Sequence, residues 1–133
     1  MIGVEIDDWE IYRRDGEQFM GVAKNAWKQR KKAFSPETLY NLVCMGIEKL
    51  VMAFLMKNGD LADNHTIGDL RVALSRHLLL SGDLIEKLNY LDSFQEICDV
   101  DAYTIQIPTD EDVERFLGIG DDIHNLLVPR LAG

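Results

Sequence analysis

The chain has 133 residues and weighs 15.2 kDa, one domain's length and too short for two comfortable ones. Its 47% hydrophobic and 28% charged residues exclude a disordered chain, three Pro exclude a collagen-like one, and a core of this size needs no disulfide or metal. The formal charge of −9 is uneven: residues 1–32 carry +1, residues 33–82 carry −1 and residues 83–133 carry −9, so the C-terminal third repels nucleic acid and anionic membrane.

The N-terminus has acids, Glu5, Asp7 and Asp8, where a signal peptide needs cations and an apolar core. A first helix is predicted over residues 8–32. Trp9, Tyr12, Phe19, Ala23, Ala26 and Trp27 recur at steps of three, four and seven, which places them on one face. Asp7 with Glu10, and Asp15 with Gln18, are capping-box patterns; the second, with Gly16, marks a place where the helix could break, but the stripe runs through it. Lys24, Lys28, Arg30, Lys31 and Lys32 are five cations in nine residues with no acid among them. Such a run is usually a solvated helix face. If the protein touches nucleic acid at all, Lys24, Lys28, Lys31 and Lys32 are the candidate contacts, with weak affinity or none expected.

Ser35-Pro36-Glu37 starts a second helix: Ser caps, Pro tolerates the first turn because its missing N–H has no helical acceptor there, and Glu suits the positive end. It runs to about Lys57, where Asn58-Gly59 supplies a left-handed stop. Leu39, Tyr40, Val43, Ile47, Leu50, Val51 and Phe54 leave little of it polar. A four-helix bundle has no central helix to absorb this surface, so the excess predicts a homodimer. The longest unbroken apolar run, Leu50 to Met56, is too short to span a bilayer, and with the acidic N-terminus this predicts a soluble cytoplasmic protein without membrane contact. Cys44 and Cys98 suit a reducing compartment.

Thr66 caps a third helix with Ile67, Leu70, Leu74 and Leu78 as its stripe. Ser81-Gly82-Asp83 interrupts it near residues 80–83, and Leu84, Leu88 and Leu91 continue the period to about Ile97, as one broken helix or two short ones. Residues 99–108 alternate weakly but have no strand to pair with, and are predicted as loop. Thr109 and three acids start the last helix, whose face is Val113, Phe116, Leu117, Gly120, Ile123 and Leu127 and which Pro129 is expected to end. The prediction is a single all-α domain over residues 1–133, an up-and-down bundle of four main helices.

The segment from Tyr40 to Leu55, with Gly46-Ile47-Glu48-Lys49 at its centre, then Asn58-Gly59, then His65-Thr66-Ile67-Gly68-Asp69-Leu70, resembles the HEPN domain family. There a small residue, an apolar residue and Glu-Lys lie in the second helix, and a His precedes the next helix with its Asp-Leu. Pro108 and the acidic start of the last helix are similar too, and the resemblance covers about residues 8–130. It implies a helical bundle that dimerises, in a family whose members often accompany minimal nucleotidyltransferases. Some members are metal-independent RNases or toxins, and nucleotide binding has been suggested for others. The RNase signature is an Arg, usually followed by a polar residue, and a His a few positions on, late in the bundle. No such pair stands in the late region here: Arg115 and His124 are nine apart, and the family's frequent second Lys of helix two is Met52.

Arg71 and His77 have RNase-like spacing but sit early, about 120° apart on a continuous helix, and Val72 follows the Arg. His65 has an easy local role at a helix entrance. Asp121-x-x-His124 offers one carboxylate–imidazole pair where a di-iron bundle needs two Glu-x-x-His copies and two more Glu. The acids around residues 99–112 lack EF-hand spacing, and no phosphate-binding loop or nucleophile elbow exists. The expectation is a non-catalytic HEPN-like binding or adaptor protein without a cofactor, partnered by a nucleotidyltransferase or binding a nucleotide. The alternative is a metal-independent RNase or toxin of the HEPN type.

Overall fold

The computed structural model describes residues 8–30, 32–62, 64–94 and 107–131. Five helices follow in order: α1 (Trp9–Lys28), α2 (Pro36–Lys57), α3 (Ile67–Ser75), α4 (Gly82–Asp92) and α5 (Asp110–Leu131). There is no strand among the described residues. The predicted loop over 99–108 lies mostly outside them.

Local chemistry explains most helix boundaries. Ser35 Oγ accepts the Thr38 N–H at 3.1 Å, Thr66 Oγ1 accepts that of Asp69 at 3.1 Å, and Ser81 Oγ accepts that of Leu84 at 3.1 Å. Ser81-Gly82-Asp83 is therefore the start of a helix rather than an interruption within one. α3 ends at Ser75 with Arg76 as its C-cap, and α3 and α4 are two separate helices, as one of the two sequence readings had it. The last helix opens with a reciprocal box: Thr109 Oγ1 accepts the Asp112 N–H at 3.2 Å, and Asp112 Oδ2 accepts the Thr109 N–H at 2.9 Å.

Two expected ends move. α1 is continuous through Asp15 and Gly16 but stops at Lys28, not at residue 32. Arg30 takes a left-handed conformation (φ 52°) and lays its guanidinium 3.8 Å from the Trp27 ring centroid, so the chain turns away from the helix axis. At the other end α5 runs through Pro129 to Leu131. A proline costs a helix most in its interior; here it sits in the last turn, opposite the carbonyl of the exposed Asn125, which can turn to water. Lys57 Nζ then donates to the Leu131 carbonyl at 2.7 Å, tying α5's end to α2.

α2 is the centre of the bundle. It packs against α1, α3 and α5, and twelve of its 22 residues are buried, including the whole run Leu50 to Met56. By length and composition α2 could cross a membrane (mean hydropathy 1.6 over its best window), which the seven-residue run did not suggest. Two thirds of that window is buried inside the protein, the pattern of a core helix. The same burial removes the physical ground on which its apolar circumference predicted a homodimer. With α1, α3 and α5 packed against it, a single chain covers nearly all of it, leaving Met45 as its one large exposed apolar residue.

Close helix approach depends on three glycines around Met20. A Cβ at Gly46 would lie 2.6 Å from Met20 Sδ, one at Gly120 would lie 1.9 Å from Met20 Cε, and one at Gly16 would lie 2.9 Å from Leu50 Cγ. On the far side Phe94 and Phe116 stack edge to face at 4.9 Å, flanked by Tyr40 and Tyr90, and the buried Tyr40 hydroxyl donates to the Leu91 carbonyl at 2.8 Å. This cluster fixes the spacing of α4 from α5.

Candidate functional site

His77 lies in the turn after α3, so it does not share a helix with Arg71. Its Nε2 is 2.7 Å from Asp60 Oδ2, and Arg76 donates to the same oxygen from Nε at 3.1 Å and from an Nη at 3.0 Å. The ring meets Phe54 edge-on, with centroids 5.9 Å apart. The His77 bond, the Leu61 N–H and Arg76 together hold the Asp60 carboxyl below the usual carboxylate range. Arg71 Nε is buried without a hydrogen-bond partner. No contact joins Arg71 to His77 among the described residues.

His65 does take a local role at the entrance to α3: its Nδ1 lies 3.1 Å from Glu48 Oε1 on α2. Asp121 and His124 are not combined, because Asp121 pairs with Lys24 across the α1–α5 contact. No group of three or more His, Cys, Asp or Glu could hold a metal among the described residues. Cys44 is an inert thiol, pushed up to about 12 by burial.

The basic stretch is not one face of one helix. Lys24 is spent on Asp121, Lys28 is exposed in the last turn of α1, and Lys32 is exposed beyond the left-handed turn at Arg30. Lys31 lies outside the described residues. Arg30 stacks on Trp27 and reaches Asp110 at 4.0 Å. Among the described residues of the stretch, Lys28 and Lys32 are exposed cations with no ion pair to another described residue.

A concavity lined by both charged and aromatic side chains lies elsewhere, between α4 and α5. It is a groove of about 490 Å³. From α4 come Asp83, Glu86, Lys87 and Tyr90; from α5 come Arg115, Gly118, Ile119 and Asp122. Lys87 is bracketed by Asp83 at 3.0 Å and Asp122 at 2.9 Å, and both carboxylates raise its pKa. Arg115 leans toward Glu111 at 3.4 Å and lies 5.6 Å from the Tyr90 ring centroid. The Tyr90 hydroxyl donates to Asp112; burial first, then this bond, drives its pKa upward, so the phenol stays protonated. Asp112 in turn is held below the carboxylate range, by the Thr109 N–H first and by Tyr90 second. The groove is a rigid, mixed-charge surface with one aromatic wall.

Sequence reasoning passed over this groove, although its periodicity was present. Asp83, Lys87 and Tyr90 recur at helical spacing on α4, as do Arg115, Gly118 and Asp122 on α5. Only the packing of α4 on α5 makes them one site.

No family model and no curated protein matches the chain. Two solved structures share its fold. TT1696 from Thermus thermophilus superposes with a TM-score of 0.73 at 15% identity, over 94% of this chain and 98% of its own. ST0689, an archaeal HEPN homologue, superposes with a TM-score of 0.67 at 17% identity, over 96% of this chain and 98% of its own. The fold is HEPN-like.

Proposed function

We propose that this HEPN-like chain is a non-catalytic binding or adaptor protein, cytoplasmic, and homodimeric on the strength of the family resemblance rather than of α2's apolar surface, whose partner is a nucleotidyltransferase or whose ligand is a nucleotide. The observation that supports it most is the engagement of His77. Metal-independent RNA cleavage needs a base free to approach a 2′-hydroxyl and a cation at the phosphate. Here Nε2 is bonded to Asp60, Arg76 is bonded to the same carboxylate, and no contact brings Arg71 to them. The trio acts as a strut joining the α2–α3 loop to the end of α3. Arg115, the late arginine, is likewise committed to Glu111 and Tyr90.

The rival reading, a metal-independent RNase, has one feature in its favour: a carboxylate on an imidazole orients a general base in many hydrolases. The two readings separate on incubation of purified protein with RNA and a chelator. The proposal expects intact RNA from the wild type, from His77→Ala and from His124→Ala. Cleavage by the wild type that is lost in either variant would replace it with the RNase reading.

A further inference from the structure

We propose that the α4–α5 groove is a docking site for a cationic stretch of a partner polypeptide, received through an arginine that stacks on Tyr90 and bonds Glu86. The inference rests on the adaptor reading and names the chemistry of one partner surface.

Carboxylates alone would be an ordinary solvated face; the groove adds depth and an aromatic plane. Gly118 lines it, and a Cβ there would meet nothing within 4 Å, so the space beside the α5 backbone is open. Its volume, about 490 Å³, admits more than one side chain. The Tyr90 ring is immobile: Phe94 and Phe116 pack against it with centroids at 5.3 and 5.9 Å, and its hydroxyl is fixed by Asp112. Arg115 already lies over this ring, but at 5.6 Å it is near the outer limit of about 6 Å for cation–π attraction, and its 3.4 Å pairing with Glu111 is exposed on both sides, so an incoming guanidinium stacks by displacing it.

The charge inside the groove decides the sign of the ligand. Both of its cations are matched, Lys87 by Asp83 and Asp122, and Arg115 by Glu111. Glu86 is exposed and has no hydrogen bond or ion pair among the described residues. An anionic ligand would have to displace carboxylates from Lys87 and would meet the field of a segment that carries −9 over residues 83–133. A guanidinium gains that field, the free Glu86 carboxylate and the aromatic plane, and its planar fork suits a carboxylate better than an ammonium does.

The test is a fluorescence-anisotropy titration of the full chain against a short labelled peptide with one central Arg, flanking Lys and Gly-Ser spacers. Binding should be measurable at low salt and weaken as salt rises. Glu86→Gln should lower the affinity about tenfold or more, the loss of a charge-assisted bond. Gly118→Phe, at an exposed lining position where the new ring projects into the groove, should abolish binding. Glu10→Gln on α1 removes the same charge far from the groove and should change little. Equal losses in Glu10→Gln and Glu86→Gln, full affinity in Gly118→Phe, or no binding at low salt would each overturn the proposal. Equal affinity for a peptide whose Arg is replaced by Lys would overturn the stacking on Tyr90. RNA cleavage would defeat the adaptor reading by a separate readout, leaving the peptide affinities to judge the groove.

Discussion

Substituting Gly46 by Ala should destabilise the protein, while the same change at Gly21 should stabilise it. Both glycines lie inside helices, where Ala is better than Gly by about 1 kcal/mol. At Gly21 the new methyl meets nothing within 4 Å, so that gain should appear in full. At Gly46 the methyl lands 2.6 Å from Met20 Sδ, 2.8 Å from Met20 Cγ and 3.3 Å from the Gly16 carbonyl oxygen. Met20 cannot step aside cheaply, because it is buried and its Cε already occupies the space over Gly120. Overpacking of this kind costs about 1–3 kcal/mol, which leaves Gly46→Ala neutral to about 2 kcal/mol less stable. The two variants should differ by about 1–3 kcal/mol, or very roughly 4 °C in Tm per kcal/mol for a domain of this size. Urea denaturation followed by far-UV circular dichroism measures both. In a Met20→Ala background the worst contacts are gone and only the Gly16 carbonyl at 3.3 Å remains, so Gly46→Ala should be less costly there than in the wild type. If Gly46→Ala stabilises the wild type as much as Gly21→Ala does, the close approach of α1 and α2 over Met20 is refuted.

Acid should weaken the fold through Asp60 and Asp112. Both carboxyls are depressed in the folded state, so their contribution is present above the unfolded carboxylate pKa, about 3.9, and is lost as pH falls through their lower folded values. Thermal melts should show a drop in Tm below about pH 4 that is shallower in an Asp60→Asn, Asp112→Asn double variant; an unchanged slope counts against these bonds. Tyr40→Phe should cost about 1 kcal/mol in urea denaturation by removing a buried hydrogen bond, although the Leu91 carbonyl keeps the Phe94 N–H, and a neutral result would show that the Tyr40 bond adds nothing. In filter binding, the wild type and a Lys24→Ala, Lys28→Ala, Lys31→Ala, Lys32→Ala variant should both retain RNA weakly or not at all. Tight binding that the variant loses would make the stretch an interface, with each phosphate contact adding roughly 0.7–0.9 to the salt slope of log K. Light scattering at micromolar concentration should give twice 15.2 kDa; a monomer would end the homodimer proposal.

What was legible in the sequence was local. Ser35, Thr66 and Thr109 announce helix starts because a cap needs only its own side chain and an N–H three residues on. Ser81 carries the same signal, yet the apolar period of Leu78, Leu84 and Leu88 runs across it and disguises a new helix as a flawed old one. The end of α1 was illegible because Lys-rich sequence favours continued helix, whereas Arg30 leaves it through a stack on Trp27. Pro129 misleads by identity: its cost depends on the turn it occupies and on the exposure of Asn125. α2's apolar circumference was visible, but whether α1, α3 and α5 or a second chain covers it depends on tertiary packing. The groove was hidden for the same reason, since Tyr90 and Arg115 meet only when α4 lies on α5.

The most direct test of the account's central claim, that this HEPN-like protein binds rather than cleaves, is a single-turnover incubation. End-labelled RNA is mixed with a large excess of the wild-type protein and a chelator, and the products are resolved on a denaturing gel. Full-length RNA should persist at every time point. Fragments that accumulate with protein concentration and vanish with His77→Ala would contradict it.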